Sequence, residues 1–253
     1  MLASDPTPIF NEMHQLAGPG VFRDPDEGGL VVTRYRTLKW ISGHAAFQAQ
    51  DRTSRVSGPS KSGSLKSLFD NHPVFMNEPV HMPVHRAAYR AIAWPGIPTI
   101  ESHIRSLATE ILDSLLEKKE VDLVADYSFA ISSRYWANIL ELPHSVAVSL
   151  RDWAQDISVV LAFGSTDDHR ERADAAARDI WNHLDQQYDS ISDFERESTF
   201  GMVDALLRKI EFDDKPKNAA ALLAAMTFDG VDGAPFLFFH RQPFLGDHLK
   251  GVI

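Results

Sequence analysis

From residue 97 onward the apolar positions recur every three or four residues. "IPTIESHIRSLATEILDSLLEKK" sets Ile100, Ile104, Leu107, Ile111, Leu112, Leu115 and Leu116 on one stripe, with Glu101, Glu110 and Glu117 outside it. That is the period of an amphipathic helix. "VDLVADYSFAISSRYWANILELP" reads as a short extended lead-in and then a helix ending before Pro143, since the residue before a proline disfavours helical backbone. Further helices are predicted over "HSVAVSLRDWAQDISVVLAF", stopped at Gly164, over "TDDHRERADAAARDIWNHLDQQYDSI" and over "FGMVDALLRKI". A polar break at 211–218 precedes "AAALLAAMTFDGVDGAPFLFF". As far as Met226 this last run is apolar on every side, the pattern of a helix buried through a domain.

The first 64 residues are less regular. "IFNEMHQLAG" predicts a short helix stopped at Gly18-Pro19, and "GGLVVTRY", residues 28–35, is the best strand. "RTLKWISGHAAF" gives a short helix broken near Gly43, and 51–64 is a polar loop rich in Ser, Gly and Pro. "NEPVHMPVHRAAYR", residues 77–90, opens another helix. The expectation is one mainly α domain over 1–253 with a small N-terminal β element: strand, helix and loop in 1–64, a helical body in 65–253.

Composition narrows the function. The net charge of −10 disfavours nucleic acid as a partner. The chain has no cysteine, which excludes disulfides, a cysteine nucleophile and thiolate-bound metal. No signal peptide or apolar run long enough to span a bilayer is visible, so the reading is cytoplasmic and not membrane-bound. No phosphate-binding Gly-rich loop, HExxH or GxSxG motif is present.

Three places carry candidate chemistry. His81 and His85 are four apart and share a helix face. They admit a metal site short of a third ligand, an anion site completed by Arg86 at the helix start, or a plain solvated helix end. Asp167 and Asp168 fit an acidic first turn better than a magnesium site. "FDGVDGAP", residues 228–235, interrupts the buried helix with Asp229, Gly230, Asp232 and Gly233. It is either a helix end at Gly233-Pro235 or a distortion facing a ligand, with Phe228 beside it.

In order along the chain, these segments resemble the first half of a bacterial cytochrome P450, the heme-thiolate monooxygenases. "GPGVFRDPDEGGLVVTRYRTLKWISGHAAF" is similar to that family's opening hairpin and helix, and "EPVHMPVHRAAYRAIAWP" to its "DPPEHxxxRR" stretch. "VDLVADYSFAISSRYWANILELP" resembles a further family helix, with Glu141 where glycine is usual. "ALLAAMTFDGVDGAP" is similar to the central I helix with its "AGxxTT". The resemblance places His81 on the histidine that binds a heme propionate, His85 on the propionate arginine and Arg86 on the arginine after it. Asp229 stands for the alanine, Gly230 matches the glycine, Asp232 the acidic position, and Gly233 replaces the oxygen-activating threonine. The "ExxR" helix and the cysteine loop have no counterpart.

The resemblance therefore implies a partial P450-like fold, truncated after the I helix, with His81, His85 and Arg86 as relict propionate contacts. Heme is expected to be absent, or held without a thiolate; no metal is expected. Ala224, Met226, Phe228, Phe236, Leu237, Phe238 and Phe239 are expected to lose cover. The 219–239 face then invites a homodimer or a protein partner. Three readings stay open: a degenerate monooxygenase homologue without activity of its own, a heme-free binder or isomerase of an apolar small molecule in secondary metabolism, and an accessory subunit. In the second, Asp229 and Asp232 are the catalytic candidates, and Gly230, Gly233 and Phe228 line the pocket.

Overall fold

The computed structural model describes residues 7–16, 20–23, 29–44, 46–48, 63–93, 95–161, 165–190 and 198–240, with backbone alone at 9, 10, 16 and 234–240. The chain divides into two compact units, residues 1–49 and 50–253.

In the first unit, helix α1 (Thr7–Leu16) precedes strands β1 (Val21–Arg23) and β2 (Leu30–Val32) and helix α2 (Tyr35–Ser42). The strands are antiparallel, with Val21 opposite Val32 and Arg23 opposite Leu30. Gly20, at φ +99°, turns the chain into β1 and accepts the Thr33 N–H at 3.0 Å. Among the described residues, the strand expected over 28–35 spans three residues, Leu30–Val32. Tyr35 already belongs to α2, which stops at Gly43 as predicted.

The second unit contains α3 (Ser64–Asp70), a 3₁₀ turn (Pro73–Phe75), α4 (His81–Ala93) and α5 (Ile97–Leu115). A π turn (Leu123–Ser128) leads into α6 (Phe129–Ile139), followed by α7 (Val146–Val159), α8 (Asp167–Ser190), α9 (Thr199–Leu207) and α10 (Ala219–His240). Residues 51–62 of the predicted polar loop lie outside the described residues. Ser64, assigned to that loop, opens α3 instead. Seven residues are too few for a helix to hold itself. This one is held by its buried Leu65, Leu68 and Phe69 and by α8, where Asp174 accepts the Leu65 N–H at 2.9 Å.

Two further expectations change. The α5 stripe is narrower than its sequence suggests: Leu107, Ile111 and Leu115 are buried, but Leu112 and Leu116 are 46 % and 81 % exposed. Each lies one residue, about 100° of turn, beyond a buried neighbour. The lead-in to α6 is not extended. Asp122 accepts the N–H groups of Val124 and Ala125 at 2.8 and 3.0 Å and winds it into the π turn. Just beyond α6, Glu141 takes φ +55°, a left-handed conformation that suits the glycine usual there in the resembling family. Its carboxylate accepts the Thr199 N–H at 3.2 Å.

Helix α10 is the centre of this unit and packs on α6, α7 and α8. Asp204 of α9 anchors its start, accepting the Ala219 N–H and the Tyr188 hydroxyl at 2.7 Å each. Burial and that carboxylate push the Tyr188 hydroxyl up to about 12. Ala224 and Phe228, expected to lose cover, are buried, and Met226 is half-buried. The 219–239 face is thus covered over its first ten residues by the neighbouring helices. The side chains of 236–239 lie outside the described residues.

The helix does not end at Gly233-Pro235 but continues to His240. Proline inside a helix lacks the N–H that would bond the carbonyl four residues earlier, here that of Val231. The buried Ser132 hydroxyl of α6 supplies the missing donor, at 2.8 Å from the Val231 oxygen and 3.2 Å from that of Gly230. One turn along α6, the Trp136 ring lies so close to Gly230 that a Cβ there would overlap it at Cζ2, Cε2 and Nε1. Gly230 is therefore required by packing.

Two substitutions test this contact. Gly230→Ala should cost about 3 kcal/mol in urea unfolding, and Trp136→Leu should relieve part of that loss in the double variant. Ser132→Ala should cost about 2 kcal/mol by leaving the Val231 carbonyl unpaired in the interior.

Candidate functional site

Polar groups gather on the Asp229 side of α10, where the 3₁₀ turn meets it. His72 caps that turn: its Nδ1 accepts the Val74 N–H at 3.1 Å. In the neutral ring the proton then sits on Nε2. That Nε2 is buried and has no hydrogen-bond partner, and it lies 3.9 Å from Asp229 Oδ2. The imidazole is flanked by Phe75 and Phe228, with ring centroids 5.6 and 5.4 Å away. Phe69 meets both phenyl rings edge-on. Burial among these rings pushes His72 down to about 4, although the Asp229 charge pulls the other way.

Asp229 is 62 % exposed at its side chain, whereas that of His72 is 4 % exposed. Asp232, one turn on, is half-buried. Burial raises its carboxyl above the usual range, opposed by a Ser158 hydrogen bond and reinforced by the charge of Asp229. Among the described residues, a Cβ at Gly233 would meet nothing nearer than Asp229 Oδ1 at 3.9 Å, an ordinary contact. Phe228 is a wall of the His72 cluster.

The other predicted residues form a separate pair. The His81 and His85 rings stack 5.6 Å apart at 11°, as helical spacing requires. His81 Nδ1 is within hydrogen-bond distance of the Pro73 carbonyl, at 3.1 Å; His85 and Arg86 are exposed. Among the described residues no hydrogen bond or ion pair joins this pair to Asp229 or Asp232. No group of three or more His, Cys, Asp or Glu there could hold a metal ion. No described helix is long and apolar enough to cross a membrane. His72 was missed in the sequence. Its signal was a histidine immediately before a proline turn, between Phe69 and Phe75, which local periodicity does not register.

No family model matches the chain. Over 135 residues it is 24 % identical to the biotin biosynthesis cytochrome P450 of Bacillus subtilis (strain 168), covering 53 % of this chain and 34 % of that protein. Over 130 residues it is 26 % identical to cytochrome P450 CYP107DY1 of Priestia megaterium, covering 50 % and 32 %. The chain thus spans about a third of the length of these curated relatives. Among solved structures, P450BioI in complex with an acyl carrier protein ligated to hexadec-9Z-enoic acid superposes with TM-score 0.76 at 19 % identity, over 97 % of this chain and 64 % of that one. Epothilone B-bound cytochrome P450epoK gives TM-score 0.77 at 16 % identity, over 98 % and 64 %. The fold is a partial cytochrome P450 fold.

A P450 works through a heme iron held by a cysteine thiolate. The residues of this chain do not fit that group. It has no cysteine, and His81, which the resemblance would aim at a propionate, already directs its Nδ1 at the Pro73 carbonyl. The resemblance sets His85 and Gly233 where the P450 pattern has an arginine and a threonine.

The depressed His72 gives a pH test. Its unfolded value of 6.5 lies above its folded value of about 4, so the unfolded chain takes up the proton first. The stability it contributes is complete above pH 6.5 and is lost as pH falls toward 4, by about 3 kcal/mol in all. His72→Asn retains an acceptor for the Val74 N–H. Between pH 7.5 and 4.5 its urea stability should fall less than that of the parent chain, and parallel curves would refute the assignment.

Proposed function

We propose that these 253 residues form a partial P450-like domain that carries out no heme-thiolate monooxygenation of its own. The observation that carries this reading is the cysteine-free sequence. No side chain here can supply the axial thiolate that drives O–O cleavage. Gly233 in place of the oxygen-activating threonine supports the same conclusion on the distal side. The test is expression with hemin supplied, followed by absorption spectra of the purified chain. The expected result is no stoichiometric Soret band and no carbon monoxide difference band of a thiolate-ligated heme. Stoichiometric heme would overturn the reading.

A second reading, a heme-free binder or isomerase of an apolar small molecule, is favoured by the polar groups on α10. Asp232 is half-buried with its carboxyl raised by burial, one turn from the exposed side chain of Asp229. A carboxyl raised by burial is suited to general acid–base work. An accessory role, as a homodimer or on a partner protein, draws support from the similar P450BioI, solved with an acyl carrier protein bound.

A further inference from the structure

We propose that the cleft between α3 and the second half of α8 binds a free aromatic amino acid as its zwitterion. The site shares no residue with the His72 cluster, the His81–His85 pair or the Asp229 side of α10, and it is independent of the readings above. The cleft encloses about 540 Å³ and is lined by Ser64, Ser67 and Asn71 of the α3 segment, by Trp181 and Asp185 of α8, and by Lys217 just ahead of α10. That is ample room for one small molecule of amino-acid size. Its wall is held in place. Trp181 donates its indole N–H to the Ser64 carbonyl at 3.3 Å, which ties the ring across the two helices. Asp185 lies one turn further along α8, on the same face. Lys217 stands between buried Pro216 and Asn218, whose side chain accepts the Ala221 N–H at 2.9 Å, and its ammonium lies 5.8 Å from the centre of the Trp181 ring. Asn71 spends its Nδ2 on the Ser67 carbonyl at 2.7 Å, which leaves its Oδ1 to accept.

The charges select the ligand. Among the described residues no ion pair joins Lys217 to Asp185, and neither is ion-paired elsewhere. The cleft therefore presents one cation and one anion beside an indole wall. An organic anion would be drawn to Lys217 and opposed by Asp185, an organic cation the reverse, and a neutral molecule would use neither charge. An α-amino acid answers both. Its carboxylate pairs with Lys217, its ammonium with Asp185 and Asn71 Oδ1, and an aromatic side chain gains contact with the Trp181 ring.

The test titrates phenylalanine into the full chain and follows the Trp181 indole N–H by proton–nitrogen NMR, assigned with Trp181→Phe. Hydrocinnamate, which lacks the ammonium, and phenethylamine, which lacks the carboxylate, are the controls. Phenylalanine should shift the Trp181 signal saturably and bind about three- to fivefold more tightly than either control, the scale of an ion pair open to solvent. Lys217→Met should remove the advantage over phenethylamine, and Asp185→Asn the advantage over hydrocinnamate, with the other indole signals unmoved as a check on the fold. Equal binding of the three compounds, an advantage that survives both substitutions, or no shift of Trp181 near the solubility limit of phenylalanine would overturn the proposal. The comparison on the unsubstituted chain decides it even where a variant fails to fold.

Discussion

Helix α10 can run through the middle of the unit because α6 repairs it. A proline at 235 removes a hydrogen bond that a buried helix cannot replace with water, and the Ser132 hydroxyl makes good that loss at Val231. Four residues along α6, Trp136 lies on the bare backbone of Gly230. Serine and tryptophan at i and i+4 thus grip consecutive residues of α10, one by a hydrogen bond and one by area. The position of every group on the Asp229 side of α10 depends on that grip. Were the helix to stop at Gly233, the register that brings Phe228 and Asp229 to His72 would lose its anchor.

His72 shows how such a scaffold stores a polar group. Its Nδ1 is spent on capping a single turn, which fixes the tautomer and points the remaining N–H into a nest of phenyl rings. Desolvation then holds the ring neutral well below the usual histidine range. That leaves a neutral, buried donor 3.9 Å from an exposed carboxylate, a gap too wide for a direct hydrogen bond. The arrangement differs from an ion pair, which would close the gap and satisfy itself.

The P450 fold does not by itself carry P450 chemistry. The helical arrangement matches solved P450 structures over 90 % or more of the chain, at identities of 19 % or less. Helix packing constrains volume and periodicity far more than side-chain identity, so the arrangement survives wide sequence change. Oxygen activation depends on single atoms: one sulfur, one hydroxyl. Among the described residues, a Cβ at Gly233 would make only an ordinary contact with Asp229 Oδ1 at 3.9 Å. Replacing Gly230 would break the fold. Of two neighbouring glycines in one motif, packing among the described residues fixes Gly230.

Helix positions and the buried character of α10 were legible in the sequence, because an amphipathic period of 3.6 and an all-round apolar run are local properties. So were the stop of α2 at Gly43 and the shared face of His81 and His85. The order of the motifs pointed to the P450 fold. Tertiary structure decided the rest. Helix α3 exists because Asp174 and a buried leucine face hold it, α10 continues past Pro235 because Ser132, 99 residues from Val231 in sequence, donates to the Val231 carbonyl, and Leu112 and Leu116 face outward because the core is narrower than the stripe. The His72–Asp229 pair was invisible for the same reason. Neither residue is unusual alone, and only the packing of a 3₁₀ turn on a distant helix sets an imidazole 3.9 Å from a carboxylate. A sequence fixes what each segment prefers locally; which atoms meet across the core is settled by how the segments fill space together.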